Sequence, residues 1–181
     1  MSRTLSLATV SLLALLQAVP VRAQRCETPI VMLTVDRSSS MLGELPGGLT
    51  KWDAATMAIG EITSAYEGRI DFGLQVFPYP DRCEPGHVVL APGAHASGDM
   101  LDALGEPPPS SGNFTPMAET LDEALRTPSL AEGMSTRHLV LVRDGWQWCS
   151  PYDPATRFTP VESVRALREL GVVVHVVGFG A

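Results

Sequence analysis

The stretch Val31-Met-Leu-Thr-Val-Asp36-Arg-Ser38-Ser-Ser40-Met41 joins an apolar run to an aspartate and two alternate serines. A single Asp or Ser would be enough to cap a helix that follows a strand. Three oxygen-bearing side chains at alternate positions, Asp36, Ser38 and Ser40, can instead converge on one point. Converging hard oxygens are what a small divalent cation such as magnesium requires. The stretch therefore predicts a buried strand whose carboxyl end contributes three oxygens to a metal site.

The rest of the chain alternates apolar runs of strand length with amphipathic segments of helical spacing. The predicted strands are 30–35, 70–76, 88–90, 138–142 and 172–177. One predicted helix begins at Ser97, and three others follow a threonine cap, which is Thr50 (in a capping box with Asp53), Thr115 or Thr159. Continuous apolar strands are typical of central strands buried on both faces. Their alternation with helices indicates βαβ units. We therefore predict an α/β fold with a doubly wound, mainly parallel sheet, helices on both faces and the short strand 88–90 at an edge.

Two further oxygen donors are expected at the edge of the sheet where Asp36 lies. Asp144 follows the apolar run 138–142, and Thr115 stands at a predicted helix start after a proline-rich loop. In open parallel sheets, ligand sites lie outside the carboxyl ends of strands, where the strand order reverses. The predicted metal ligands are Asp36, Ser38, Ser40, Thr115 and Asp144. A set of oxygens without histidine or thiol favours magnesium, with manganese or calcium as alternatives, over zinc or copper.

These segments together resemble the metal-ion-dependent adhesion site (MIDAS) of von Willebrand factor type A (vWA) domains. The matching motifs are 35–41 (Val-Asp-Arg-Ser-Ser-Ser-Met), Thr115-Pro116 and Asp144-Gly145, and the resemblance extends from about residue 29 to residue 180. It implies a Rossmann-like sheet, a magnesium-type ion and recognition of a protein partner through an acidic side chain.

The same resemblance assigns a role to each predicted ligand. The three hydroxyls of Ser38, Ser40 and Thr115 would bind the ion directly. The carboxylates of Asp36 and Asp144 would bind it directly or through water. Two carboxylates balance a divalent charge, and a coordination position left open on the ion would take an Asp or Glu carboxylate of the partner. The predicted function is therefore metal-dependent protein binding of the adhesion type.

Two features depart from the family pattern. Arg143 stands directly before Asp144, where the family often has a threonine, and a permanent cation there can compete with the metal or pair with the carboxylate. An alternative interpretation is therefore a vWA scaffold whose metal site is disabled by Arg143. The sequence also ends at Ala181, where family members usually continue with another helix and strand. Either the domain is C-terminally truncated, or the strand 172–177 is an exposed edge.

A serine-type hydrolase is a second alternative, with Ser38 or Ser40 as the nucleophile. A serine between a strand and a helix superficially resembles a nucleophile elbow, but the Gly-x-Ser-x-Gly pattern is absent. No histidine is evidently placed as the base that such a serine needs. His138 and His175 fall in predicted strands, where we expect structural roles. We therefore predict a protein without enzymatic activity.

The first 23 residues have the pattern of a secretory signal peptide. Arg3 precedes an apolar segment, 5–19, and Val21-Arg22-Ala23 stands before the predicted cleavage point. Residues 24–181 would then form one domain that is secreted, periplasmic or held in the cell envelope, without membrane insertion after cleavage. A composition rich in Ala, Gly, Pro and Arg with a single lysine is typical of a GC-rich bacterial genome. The net charge of −7 argues against a nucleic-acid partner.

Cysteines and aromatic residues near the predicted site lead to two further hypotheses. The three cysteines are an odd number, so at least one of them lacks a partner within the chain. Cys83 and Cys149 both follow strands at the edge of the predicted site, so a disulfide between them would brace the loops, whereas Cys26 lies at the opposite edge. The aromatic residues after Asp144 either form a rim for partner contact or pack under the long loop. They are Trp146, Trp148 and Tyr152.

Overall fold

The computed structural model describes residues 27–179 of the chain. The strands are β1 (Ile30–Asp36), β2 (Asp71–Phe77), β3 (His87–Gly93), β4 (Arg137–Arg143) and β5 (Val172–Gly178). The α-helices are α1 (Lys51–Ala65), α2 (Ser97–Leu104), α3 (Met117–Leu125), α4 (Pro128–Ala131) and α5 (Pro160–Glu169). The predicted signal peptide, residues 1–23, lies outside the described residues and remains a prediction. Cys26 also lies outside them, so its place at the opposite edge of the sheet remains a prediction too.

The five strands form one sheet in the order β3-β2-β1-β4-β5. β1 pairs in parallel with β2 on one side and with β4 on the other, and β4 pairs in parallel with β5. Only β3 is antiparallel, and it lies at the edge as predicted, although it is longer than 88–90. Because the chain leaves β1 toward β2 and later returns to β4 on the opposite side, the strand order reverses at β1. The predicted doubly wound, mainly parallel α/β sheet is confirmed.

Helices cover both faces of the sheet and create two hydrophobic clusters. The cluster under α1 and α2 includes Leu33, Trp52, Ile59, Leu74 and Met100. The cluster under α3, α4 and α5 includes Met32, Leu121, Leu130, Leu139 and Leu167. Successive side chains of a strand point to opposite faces, so the neighbours Met32 and Leu33 of β1 belong to different clusters. Burial on both faces explains why β1 reads as an unbroken apolar run.

β5 forms the second edge of the sheet. It pairs with β4 alone among residues 27–179. Val173, Val176 and Val177 of this strand are each about half exposed. The exposed edge that the sequence allows at 172–177 is therefore present in this part of the chain.

Helix α1 begins with the capping box that the sequence predicts. The Thr50 hydroxyl accepts the Asp53 N–H at 3.0 Å, and the Asp53 carboxylate accepts the Thr50 N–H at 3.2 Å. The two bonds satisfy N–H groups that have no partner inside the helix. The start of α1 is thereby fixed at Lys51, a residue whose side chain reaches the candidate site.

The two other predicted threonine caps are wrong. α3 begins one residue later than predicted, at Met117, and the Thr115 side chain does not cap it. The Thr159 hydroxyl donates to the Thr156 carbonyl at 2.7 Å and leaves the start of α5 uncapped by a side chain. Thr-Pro marks the beginning of both helices along the sequence, but only Pro160 occupies the first helical position, where its fixed φ suits the helix, whereas Pro116 precedes α3.

A buried polar network joins β1, β2 and α3. Thr34 donates from its hydroxyl to Gln75 Oε1 at 3.0 Å, and Gln75 Nε2 donates to the Thr120 carbonyl at 2.9 Å. The Thr120 hydroxyl accepts the Gly86 N–H at 3.0 Å and donates to the Pro116 carbonyl at 2.6 Å. Buried polar groups need such partners because their desolvation is otherwise uncompensated. The network therefore fixes the start of α3, and the loop before it, against the central strand.

Gly86 is required at its place in this network. A Cβ at Gly86 would stand 2.5 Å from the Thr120 Cγ2 atom and 2.9 Å from the Phe77 Cβ atom. Both distances are far inside van der Waals contact. Only a glycine therefore lets the loop before β3 approach α3 closely enough for its N–H to reach Thr120.

Replacing Gln75 with leucine should lower the free energy of unfolding by about 2–4 kcal/mol, because the Thr34 hydroxyl and the Thr120 carbonyl lose a buried partner. Urea unfolding followed by circular dichroism measures the loss. A Thr34→Val, Gln75→Leu double variant should lose less than the sum of the two single variants, since it removes both partners of one bond. Strictly additive losses would contradict the coupling.

Candidate metal centre

Asp36 is the last residue of β1, and its carboxylate is fully buried at the carboxyl edge of the sheet. Its Oδ1 atom accepts the Ser38 N–H at 2.7 Å. Its Oδ2 atom is buried and finds no hydrogen-bond donor among residues 27–179. A buried carboxylate oxygen without a partner is costly unless a cation or another ligand satisfies it. This orphaned oxygen is the first sign that the edge is built for a cation.

The two serines of the same loop lie side by side. The Oγ atoms of Ser38 and Ser40 are 3.0 Å apart, so one hydroxyl donates to the other. A short 3-10 helix, Ser39–Leu42, begins between them, and its Met41 side chain is completely buried in the cluster under α1. The buried methionine anchors the loop, and the anchored loop holds the two hydroxyls at the edge of the sheet.

Asp144 completes the polar group from the neighbouring strand, since it directly follows β4. Its Oδ1 atom accepts the Ser40 hydroxyl at 2.8 Å. Its Oδ2 atom accepts the Lys51 ammonium at 2.7 Å, and the Asp144 side chain is 1% exposed. A chain of short polar contacts therefore runs from Asp36 through Ser38 and Ser40 to Asp144.

Thr115 lies at the mouth of the same site. It lines an open pocket of about 760 Å³ together with Ser38, Ser40 and Asp144. Its backbone forms a two-bond bridge with Trp148, at 2.9 and 3.1 Å, which ties the loop before α3 to the loop after β4. The structure thus brings all five predicted residues to one edge. Thr115 shares the pocket but makes no side-chain hydrogen bond with the other four.

The cation that contacts Asp144 is Lys51, whereas the sequence directs attention to Arg143. The Arg143 guanidinium donates to the Gly145 carbonyl, and its side chain does not pair with Asp144. The expectation that Arg143 forms an ion pair with Asp144 is therefore wrong. Lys51 is remote from Asp144 in the sequence, and only the packing of α1 against the sheet edge brings the two side chains together.

Two amide side chains hold the loops in place, and the sequence pattern gave no indication of either. Asn113 Oδ1 accepts the Arg82 N–H at 2.9 Å, and Asn113 Nδ2 donates to the Arg37 carbonyl at 3.2 Å. Gln147 Oε1 accepts the Ala118 N–H at 2.8 Å. Gln147 therefore caps α3 from the loop after β4, a role that sequence reasoning gave to Thr115.

A disulfide and an aromatic cluster add covalent and apolar bracing. Cys83 is bonded to Cys149, with Cα atoms 5.8 Å apart, so the bond links the loops that follow β2 and β4. The Trp148 ring lies 4.7 Å from the Phe114 ring and 6.3 Å from the Tyr152 ring, measured between centroids. Trp148 therefore packs between Phe114 and Tyr152, although Tyr152 itself is 39% exposed.

The third of these aromatic residues, Trp146, remains available at the surface. Trp146 is 53% exposed and lines the pocket. The Arg157 guanidinium stands 4.2 Å from the centroid of its ring, a cation–π distance. Trp146 is therefore the most exposed member of the trio and stands at the pocket.

Burial raises the pKa of Asp36 from 3.8 to about 7. Hydrogen bonds from Ser38 work in the opposite direction, and the charge of Asp144 adds to the rise. A carboxyl group removed from water resists ionisation because its charged form loses hydration. A divalent cation against Asp36 would compensate that loss. The same ion would stabilise the ionised carboxylate and supply a partner for the orphaned Oδ2 atom.

The donor set fits a hard cation. Residues 27–179 contain no group of three or more His, Cys, Asp or Glu side chains that could hold a metal. The site instead combines two carboxylates, Asp36 and Asp144, with hydroxyls, and such oxygens suit magnesium, manganese or calcium better than zinc or copper. The residues present therefore fit the ion that the sequence predicts.

The hydrolase alternative lacks the base that its mechanism needs. None of the four histidines of the chain lines the pocket. His87 stacks on Tyr79, and His95 hydrogen-bonds to the Ala91 carbonyl. The two remaining imidazoles, His138 and His175, bond to each other at 3.1 Å. The nucleophile that the hydrolase hypothesis assigns to Ser38 or Ser40 therefore has no histidine to activate it.

Known structures place this architecture among vWA domains. BatB from Bacteroides thetaiotaomicron matches with a TM-score of 0.63 and 20% identity over 83% of this chain and 66% of that chain. The VWA domain of SpRpn10 gives 0.58 and 13% over 85% and 76%. Manganese-loaded TRAP of Plasmodium vivax gives 0.59 and 19% over 85% and 58%.

These similarities establish the vWA fold and nothing finer, since the identities are 20% or less. The chain spans less than two thirds of the length of TRAP and about two thirds of BatB. No protein-family model and no curated protein sequence matches the chain. The predicted vWA fold is therefore confirmed by structural similarity alone.

In the metal-free protein, Asp36→Asn should abolish part of the pH dependence of stability. A carboxyl whose pKa rises on folding binds its proton more tightly in the folded state. Its contribution to the free energy of unfolding is therefore fully present below pH 3.8 and is lost as the pH rises to about 7. The amide of the substituted asparagine cannot ionise. The variant should therefore match the wild type near pH 4 and exceed its free energy of unfolding by roughly 2–4 kcal/mol at pH 8.

Urea unfolding in EDTA between pH 4 and pH 8 measures this difference. Asp122→Asn, which removes an exposed carboxylate from α3, is the matched control and should follow the wild-type profile. A constant difference between Asp36→Asn and the wild type across the pH range would show that burial does not shift the pKa of Asp36.

Proposed function

We propose that this chain is a secreted, non-enzymatic binding module that captures an acidic group of a protein partner through a divalent cation. The ligands of the cation are Asp36, Ser38, Ser40, Thr115 and Asp144. The observation that carries the proposal is the buried, unpartnered Oδ2 atom of Asp36 beside two serine hydroxyls and a second carboxylate. Magnesium is the first choice of ion, and manganese or calcium can replace it.

The charges of the ligands explain why such a site would bind a partner. Two carboxylates neutralise a divalent ion, and the hydroxyls of Ser38, Ser40 and Thr115 add no further charge. A bound ion supplies a Lewis-acidic position that accepts a carboxylate oxygen in place of water. Ser38, Ser40 and Asp144 line an open pocket, so the ion would face solvent rather than the core.

The surroundings of the pocket also favour an acidic partner. The chain has a net charge of −7, yet Lys51 and Arg143 both line the pocket. Exposed Trp146, with Arg157 on its ring, adds a residue type that is frequent in interface hot spots. An acidic side chain flanked by apolar residues is therefore the partner group that suits this surface. The manganese in TRAP supports a divalent ion on a vWA fold.

Secretion, or retention in the periplasm or cell envelope, completes the proposal. The predicted signal peptide, residues 1–23, supports it. The Cys83–Cys149 disulfide supports it as well, because such bonds persist mainly in oxidising compartments. No helix between residues 27 and 179 is long and apolar enough to cross a bilayer.

Isothermal titration with Mg²⁺ and Mn²⁺ should show one bound ion per chain. Asp36→Asn should abolish binding, because the orphaned oxygen is replaced by a neutral amide. Ser40→Ala should weaken binding by about tenfold or more, since it removes a ligand and the donor to Asp144. Wild-type protein that binds neither ion would overturn the metal site.

The acidic partner group can be tested without knowing the partner. The tripeptide Gly-Asp-Gly, acetylated at its N-terminus and amidated at its C-terminus, should lower the water-proton relaxation of the Mn²⁺-loaded protein, because its side-chain carboxylate displaces a metal-bound water. Gly-Asn-Gly with the same capped ends is the matched control, of equal size but without a carboxylate, and should have no effect. An equal response to both peptides would contradict carboxylate capture while leaving metal binding intact.

A further inference from the structure

Lys51 is a cation held inside the candidate metal site. Its Nζ atom stands 2.7 Å from Asp144 Oδ2, and its side chain is 21% exposed while that of Asp144 is 1% exposed. No other Lys, Arg or His side chain in the range 27–179 forms an ion pair with Asp144. A predicted metal ligand is therefore already neutralised by a side chain of the protein.

The loop before α1 fixes the position of Lys51 through several contacts. The Lys51 N–H donates to the Gly43 carbonyl at 3.0 Å, and Glu44 and Thr50 form an antiparallel bridge within the same loop. The Lys51 Cε and Nζ atoms pass 3.5 Å from the place where a Cβ of Gly43 would stand. Together with the Thr50 capping box, this loop fixes both the backbone and the path of the lysine side chain.

We propose that Lys51 is an internal competitor of the divalent ion, which holds Asp144 in the metal-free protein and has to leave before the ion binds. Lys51 thereby lowers the affinity of the site for the metal ion and prevents the ion from binding at low metal concentration. The inference rests on the proposed function, because it takes Asp144 as a ligand of the same ion.

Repulsion between like charges makes the two cations mutually exclusive. An ion that satisfies Asp36 Oδ2 and the two serine hydroxyls would lie beside Asp144, to which Ser40 is bonded at 2.8 Å. The ammonium would then face a divalent charge in a poorly hydrated place, where Coulomb interactions are weakly screened. Binding of the ion therefore has to break the contact between Lys51 and Asp144.

The lysine has a place to which it can move. Lys51 lines the open pocket of about 760 Å³, and a lysine carries its charge on a flexible four-carbon stem. A rotation of the side chain would return the ammonium to water at the rim of the pocket. Arg143 differs from Lys51 in this respect, because its guanidinium is held by the Gly145 carbonyl and not by a predicted ligand.

Titration of Lys51→Met with Mn²⁺ tests the competition. Methionine keeps most of the length of the stem but carries no charge, so binding should tighten by roughly tenfold to hundredfold, the equivalent of one charge-assisted hydrogen bond. Arg143→Met is the matched control, which removes a cation of the same pocket that does not touch Asp144. Its affinity should stay within about threefold of the wild type.

Lys51→Arg serves as a second variant in case Lys51→Met folds poorly. It preserves the positive charge, and metal affinity should therefore remain near that of the wild type or fall. Melting in EDTA reports whether each variant is folded. A Lys51→Arg variant that binds Mn²⁺ about tenfold more tightly would overturn the competition.

Movement of the lysine itself has an independent readout. Lys51 is the single lysine of the chain, so acylation by an N-hydroxysuccinimide ester can be assigned to one residue by peptide mass spectrometry. Its rate of modification should rise several-fold in the wild type when Mg²⁺ is added. It should not rise in Asp36→Asn, in which the ion does not bind.

The outcomes separate this inference from the proposed function. If the wild type and Lys51→Met bind Mn²⁺ equally and the lysine stays protected, the competition is overturned and the metal site stands. If Lys51→Met binds and the wild type does not, the competition is supported and the proposed function of the wild type fails. If no variant binds, both are overturned.

Discussion

Burial of the Asp36 carboxylate is the constraint on which the candidate site depends. β1 is the central strand and is covered on both faces, so the residue at its carboxyl end is shielded from bulk water. One carboxylate oxygen is satisfied by the Ser38 N–H, and the other finds no donor among residues 27–179. An apolar residue at this position would relieve that cost entirely. An unrelieved cost at the end of the central strand is typical of a functional site, where local stability is given up for binding.

The neighbours of β1 determine what else can reach that carboxylate. Because β4 lies parallel beside β1, Asp144, which directly follows β4, is brought next to Asp36, the last residue of β1. The loop before α3 has no such strand to position it. Three different devices place it: the buried Gln75 network, the Gln147 cap and the backbone bridge between Thr115 and Trp148. The sheet therefore fixes the two carboxylates, and bonds between loops fix Thr115.

The same division explains what the sequence could predict. Apolar runs and helix starts are local properties, so the order of elements, the parallel sheet and the two carboxylates at its edge followed from them. The Asn113 and Gln147 contacts are not local, since each joins segments that are distant along the chain. Lys51 shows the limit most clearly: it is 93 positions from Asp144, whereas Arg143 is adjacent in sequence. Arg143 lines the same pocket, but its guanidinium is held by the Gly145 carbonyl, so the neighbouring arginine was the wrong candidate.

In the metal-free site, the charges of the two carboxylates are compensated in different ways. This difference determines how a divalent ion can replace the compensating charges. Burial raises the pKa of Asp36 to about 7, so near neutral pH this group can be relieved of its charge by a proton. Asp144 is nearly as enclosed but is relieved by the Lys51 ammonium instead. A proton and an ammonium together supply two positive charges, the same as one divalent ion. The protein can therefore exist in two states of equal net charge within the site, and exchange between them needs no rearrangement of the sheet. The disulfide and the bonds between loops hold the backbone around the site, so we expect the exchange to require the movement of a proton and of one flexible side chain.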